Sequence, residues 1–508
     1  MPSHVKTLAI LLIAVSCLPA FAQPAPRPTR LSIDWTKTLR ISVSTPTLQV
    51  VVNPKLRPGE VVRAQAYKAF RDLNPEYARF VPWFPYPRMA VAELSAPTAT
   101  ETFWDFGLID PLTVDFLEAT KGRNGYLNFS TIPAWMFKTP KSVSVPADPN
   151  KPDWDYNQGT ELVDSTGKQL GDYYGRIASW YSQGGFTDEH GVLHKSGHHY
   201  ALPLYEVLNE ADAEHSTTPK QYTERYDAIV SAIRAVSPKT QFIGLALADP
   251  RGHPDLFEYF LNHANHRPGI PLDWISYHFY AVPEVGETID QWQYTFFSQA
   301  DGFIDNVKYV ESIRKRLSPN TRTMINETGS ILHSDLDQVT GVVDTNIPHA
   351  YWNLAGAVYA HVYGELAKLG IDVVGESQLV GYPTQFPSVT MVDWNTGKPN
   401  ARFQVLKLLH DNMGPGDRII DTGPHVMTFA ASPIVETAYI RNGARKVLLI
   451  NRRAGPASVD LPGAAGGAIQ VVDQVSAGGP IRREKLGSST VPLGGFAVAI
   501  IDLPESRP

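Results

Sequence analysis

Two short runs decide how this chain reads: Tyr205-Glu206-Val207-Leu208-Asn209-Glu210 and Met324-Ile325-Asn326-Glu327-Thr328. Each is a mostly apolar stretch that reaches Asn-Glu. A short apolar run of this kind reads as a buried strand. A Glu at its end brings a carboxyl group to the rim of whatever sheet the strand joins. Two such strands in one closed barrel would bring two carboxyl groups to the same mouth.

Working outward, strand-like and helix-like patterns alternate from about residue 48 to 412. Strands are expected over 48–53, 77–85, 126–135, 203–210, 241–248, 273–280, 321–327 and 371–378. Helices are expected over 61–73, 110–120, 169–183, 219–236, 255–264, 304–317, 347–369 and 399–410. Eight strand-helix pairs in series predict an α/β fold, a (β/α)8 TIM barrel. An open doubly wound sheet is the alternative, but no Gly-rich phosphate loop follows the first strand. A polar loop over 138–168 and a hairpin over 187–200 interrupt the alternation. Past residue 413 the pattern changes to short strands, 426–430, 435–440, 446–451, 469–472 and 496–501, separated by Gly, Pro and Asn. This predicts a C-terminal β-sandwich domain over 413–508, and residues 31–43 offer it one more strand.

The N-terminus has the form of a secretory signal peptide over 1–22: Lys6, an apolar core over 8–16, then Ala20-Phe21-Ala22 as a small-x-small cleavage site. The rival reading is a lipid-modified Cys17. Residues 23–47 then form a Pro-rich leader and a strand. A secreted or periplasmic location follows as the expectation. Cys17 is the only cysteine, so a chain cleaved after Ala22 has no disulfide. A net charge of −6 over 508 residues supplies no basic field for nucleic acid. No apolar run is long enough to span a bilayer, so no membrane contact is expected after cleavage. Oligomeric state is not legible.

Hydrolysis of a glycosidic bond needs two carboxyl groups flanking that bond, and Glu210 and Glu327 are the candidates. The plainer reading of each alone is a surface Glu at a strand end. Glu-Val-Leu-Asn-Glu resembles the acid/base strand of the clan A glycoside hydrolases, and the layout is most similar to glycoside hydrolase family 39, the β-xylosidase and α-L-iduronidase group. That resemblance implies a retaining (β/α)8 enzyme with Glu210 as general acid/base and Glu327 as nucleophile. It also implies Asn209 on the sugar 2-hydroxyl, Tyr280 orienting the nucleophile, His278 on substrate and Arg88 supporting the nucleophile. Ala211 stands where many members have Pro, and Leu208 where many have Trp.

Further candidates for substrate contact are Trp135, as a stacking platform, with Glu376 and Gln378 at the eighth strand; Trp394 is a weaker one. His194, His198 and His199 cluster before the fourth strand. Zinc needs three or four converging ligands and no Cys is available, so the hairpin is expected to form a wall of the cleft, and neither metal nor cofactor is expected. The Asn128-Phe129-Ser130 sequon falls in an expected buried strand and is not read as glycosylated. The expected function is a secreted glycosidase, exo-acting on a plant or microbial glycan. The alternatives are a non-catalytic carbohydrate-binding protein on the same barrel and a metal-dependent hydrolase.

Overall fold

The computed structural model describes residues 28–156, 159–336, 345–423, 432–476 and 478–505. The expected signal peptide, with Cys17, and the strand expected over 426–430 lie outside these residues.

Eight parallel strands close into a barrel: β1 Thr45–Val51, β2 Tyr77–Val81, β3 Asn124–Leu127, β4 Leu204–Glu206, β5 Gln241–Leu247, β6 Trp274–Ala281, β7 Arg322–Ser330 and β8 Val373–Glu376. β8 pairs with β1 to complete the ring. Helices follow in series: α1 Val61–Leu73, α2 Asp110–Ala119, α3 Lys168–Ser182, α4 Pro219–Val236, α5 Pro254–Phe260, α6 Ile289–Leu317, α7 His349–Leu369 and α8 Ala401–Asn412. The (β/α)8 barrel read from the sequence is therefore the observed architecture. Among the described residues no helix is long and apolar enough to cross a membrane.

Local chemistry accounts for the ends that match expectation. Pro219 starts α4 behind a capping box in which Thr218 and Gln221 exchange hydrogen bonds. α6 begins fifteen residues before the expected 304, behind a second box of Thr288 and Gln291. Asp301-Gly302 in its middle breaks the sequence pattern but not the helix. β4 stops at Glu206, well before the expected 210, because Leu208 and Glu210 take φ of 65° and 42°. Chain direction therefore changes where the site begins.

The C-terminal part is a seven-stranded antiparallel sheet facing a three-stranded one. The N-terminal segment joins both: Thr29–Arg30 pairs with Ala457–Asp460, and Thr38–Ile41 with Arg418–Ile420. Alternation along Ala444–Asn451 explains how the large sheet serves two cores. Val447 and Leu449 face the sandwich interior, whereas Leu448 and Ile450 join the barrel core. That second face lies on α7 and α8.

Candidate active site

The polar centre of the barrel starts from Arg79 on β2, fully buried. A buried guanidinium needs acceptors for its donors and charge to balance it. Its donors go to Gln49 on β1 (2.8 Å), Glu206 on β4, Asn209 just past β4 (2.7 Å) and Glu327 on β7. Glu206, also buried, further accepts from Asn128, Ser276 and Asn326. Burial alone would lower the Arg79 pKa, but the charges of Glu206 and Glu327 hold it above its usual value.

Glu210 and Glu327 sit on top of this layer. Regular strands send neighbours to opposite faces, yet Asn326 and Glu327 both reach the buried polar cluster. The β6–β7 register slips between Tyr277 and His278, and the β7–β8 register between Ile325 and Thr328. Bulges of this kind re-aim side chains at barrel rims. One carboxylate oxygen of Glu210, one of Glu327 and a ring nitrogen of His278 all lie within 4.8 Å of one another. His278 Nδ1 is 2.7 Å from Glu210 Oε1, and its Nε2 is 3.7 Å from Glu327 Oε1. Tyr280 donates its hydroxyl to Glu327 Oε2 at 2.6 Å.

The two carboxyl groups are biased in opposite directions. Burial raises the Glu210 pKa, opposed by the hydrogen bond and charge of His278 and assisted by the negative charges of Glu327 and Asp212. Burial pushes Glu327 the same way, but the charges of His278 and Arg79 and the hydrogen bonds from Tyr280 and Arg79 outweigh it, and its pKa is lowered. Burial opposes the charged form of His278; the Glu327 and Glu210 carboxylates overcome this and raise its pKa. Glu210, His278 and Glu327 are also the one set of acidic and His side chains, among the described residues, that converges closely enough to offer three metal ligands. Arg79 already donates to Glu327 Oε1 there, so a metal cation would meet fixed positive charge.

Above the pair is a cavity of about 330 Å³ lined by Asn209, Glu210, Glu214, Tyr280, Glu327 and Gln378 among others. Its outer wall is aromatic. Trp83 stacks on Phe386 at 6.0 Å and meets Trp154 edge-on at 5.3 Å. An apolar cavity with a few convergent polar groups is the usual form of a small-molecule site.

Several residues expected to touch substrate are elsewhere. His278 is fully buried behind the carboxyl groups and does not line the cavity. Arg88 lies in a 3-10 turn well past the end of β2, where its Nε donates to Pro146 O; Arg79 occupies the place beside Glu327 instead. Trp135 donates to Glu93 O at 2.8 Å and lines a separate cavity with Trp104 and Arg176. Glu376 is buried against Arg402 at 2.9 Å. Trp394 is core. The hairpin Gly185–Thr187 with Leu193–Lys195 exists, but it contributes nothing to the cavity wall. Its His194 pairs with Asp188, and His198 with Asp110. Asn128 is buried, as the sequon reading expected.

Arg79, Glu206, Glu214, Trp83, Trp154 and Phe386 were missed. Arg79 carries a signal: it is a charge inside the apolar run Tyr77-Ala78-Arg79-Phe80-Val81. Trp83 carries another, since it follows directly on a barrel strand's C-terminal end.

Comparison with known proteins starts at the C-terminus. A family described as the D-apionate lactonase C-terminal immunoglobulin-like domain matches residues 437–501. No curated protein matches the sequence. Among solved structures, the chain is similar to the GH51 arabinofuranosidase from Xanthomonas axonopodis pv. citri, with a TM-score of 0.60 at 11% identity over 92% of this chain and 98% of that one. It is also similar to a GH30 endoxylanase from Clostridium papyrosolvens C71, with a TM-score of 0.55 at 12% identity over 94% and 100%. An α-L-arabinofuranosidase from Thermotoga maritima gives 0.54 at 13% identity over 92% and 97%. At these identities the likeness is one of fold: the chain has the barrel-plus-sheet architecture of these glycoside hydrolases. The families named there are 51 and 30, not 39.

Proposed function

We propose that this protein is a retaining glycoside hydrolase in which Glu327 is the nucleophile and Glu210 the general acid/base. The observation that carries the reading is the carboxyl pair itself. One oxygen of each carboxyl group lies no more than 4.8 Å from one of the other, a nearest approach that suits the roughly 5–5.5 Å carboxyl separation of retaining enzymes better than the roughly 6.5–9.5 Å of inverting ones. Their opposite biases suit the two roles, because an acid must hold its proton and a nucleophile must be ionised.

In the first step Glu327 attacks the anomeric carbon while Glu210 gives its proton to the leaving oxygen. The glycosidic bond breaks and a glycosyl ester on Glu327 forms. In the second step Glu210, now a carboxylate, takes a proton from water. The water oxygen attacks the anomeric carbon, the ester bond breaks, and both carboxyl groups return to their starting states. Arg79 and Tyr280 hold Glu327 in place and ionised, and His278 links the pair. The aromatic wall fits a sugar ring face, and the small cavity favours removal of a terminal residue, hence exo action. Secretion, a plant or microbial glycan as source, and kinship with family 39 complete the reading as expected from the sequence.

The test is Glu327→Ala. Turnover of aryl glycosides should fall by about 10⁴-fold or more, and added azide should restore part of it by attacking the anomeric carbon in place of the lost carboxylate, releasing the aryl alcohol and a glycosyl azide. Undiminished turnover in the variant would sink the assignment.

The match of residues 437–501 to a lactonase's C-terminal domain favours a second reading, hydrolysis of a sugar lactone. Those residues lie in the sandwich and none lines the cavity. Opening of aldonolactones by the wild type, with no cleavage of any glycoside, would favour it.

A further inference from the structure

The cavity holds a third carboxyl group that the double displacement does not use. Glu214 follows Glu210 by four residues, and its side chain lines the cavity beside Asn209 and Trp83. Its Oε1 accepts the indole N–H of Trp83 at 2.8 Å and the Nδ2–H of Asn209 at 2.9 Å.

The orientation of Asn209 is dictated by its neighbours. A guanidinium only donates, so the end of Asn209 facing Arg79 is Oδ1. Its Nδ2 must then face Glu214, which presents an acceptor. Glu214 thus fixes the amide that the sequence resemblance assigns to a sugar hydroxyl.

The charge pattern is one-sided. Glu210, Glu214 and Glu327 line the cavity, and no Lys, Arg or His among the described residues does so. Arg79 and His278 lie beneath, committed to the carboxylates. A bound sugar bearing its own carboxylate would therefore meet the ionised Glu327 with no cation among the described lining residues to pair with.

We propose that Glu214 is a specificity-determining residue: it anchors the hydroxyls of the sugar being released, in a cavity whose described lining offers a charged sugar no counter-ion. The inference rests on the glycosidase reading and deepens it. Burial, then the neighbouring negative charge of Glu210, pushes the Glu214 carboxyl up to about 8 against the hydrogen bonds of Asn209 and Trp83. At neutral pH it therefore keeps its proton. It can donate to a hydroxyl as well as accept, and it adds no charge beside Glu210.

The experiment uses the full chain with matched 4-nitrophenyl glycosides: glucoside against glucuronide, galactoside against galacturonide, together with xyloside and arabinofuranoside. Any neutral sugar that is cleaved should outrun its carboxylated counterpart by about 10²-fold or more in kcat/KM. Glu214→Ala should raise KM by about tenfold or more with a smaller change in kcat, because the lost contact is to non-reacting hydroxyls. Glu214→Gln preserves shape and one donor and acceptor, so its KM should stay within about tenfold of wild type. Wild-type KM should climb as pH passes about 8, where Glu214 ionises, and KM of the Gln variant should not. A uronide cleaved as well as its neutral partner, or an Ala variant with unchanged KM, overturns the inference and leaves the glycosidase reading standing. If no glycoside of either charge is cleaved, the glycosidase reading falls and takes this inference with it.

Discussion

At the scale of single residues, the site consists of one deep cation and the carboxylates arranged around it. The pH dependence follows from the directions of the two shifts. As the proposed nucleophile Glu327 must be ionised, so kcat/KM should fall as pH drops through its lowered pKa; as the proposed general acid Glu210 must be protonated, so kcat/KM should fall as pH rises through its raised pKa. Tyr280→Phe removes a donor to Glu327. Its pKa then rises, and the acid limb of the profile should move to higher pH, with an activity loss of about 10–10²-fold. An unmoved acid limb in that variant would show that Tyr280 does not tune Glu327. Arg79→Met is the harsher change. It strands Glu206 and Glu327 without their buried partner, and unfolding in urea should show a loss of about 3–5 kcal/mol.

Secondary-structure elements set where those residues can stand. β8 comes very close to β7 at Gly375, where an added Cβ would lie 2.9 Å from the backbone carbonyl oxygen of Asn326. Backbone cannot step aside as a flexible side chain can. Gly375→Ala should therefore cost about 1–3 kcal/mol in denaturant unfolding and should lower turnover, because the displaced residue adjoins Glu327. The elements also mark how far the sequence could be read. α1 and α4 match expectation at both ends, since an amphipathic stripe is a local signal, closed in α1 by the left-handed Asn74 and opened in α4 by the Thr218–Gln221 box. β4 did not, because Val207-Leu208 continues an apolar run while the backbone has already turned out of the strand at Leu208. No Gly or Asn at Leu208 signals a positive φ. The same limit explains Arg88. Choosing Arg79 over it requires knowing which β2 residue faces β4 and β7, and that is set by barrel closure. The cavity wall was not legible either: Trp83, Trp154 and Phe386 come from three separate loops and meet only in the folded chain.

For the whole molecule, barrel and sandwich share apolar surface. Leu448, Ile450, Val472, Val498 and Ile500 belong to the same core as α7 and α8. Further polar contacts cross the seam, including Arg452 with Asp301 at 3.3 Å and the Tyr439 hydroxyl with Asn412 O at 3.0 Å. Calorimetry should therefore give one unfolding transition for both parts; two resolved transitions would mean that the shared face contributes little. Arg79 has a consequence for how the chain is assembled. It and Glu327 are separated by 248 residues. During synthesis the guanidinium emerges long before its β7 partner, and until then Glu206 is the one carboxylate among its partners described above that balances its charge. Half-barrels are thus poor resting states, and the last strands to emerge complete both the wall and the charge balance. On refolding from urea, helical signal should return before turnover does, because helices form from nearby residues whereas activity waits for the ring to shut.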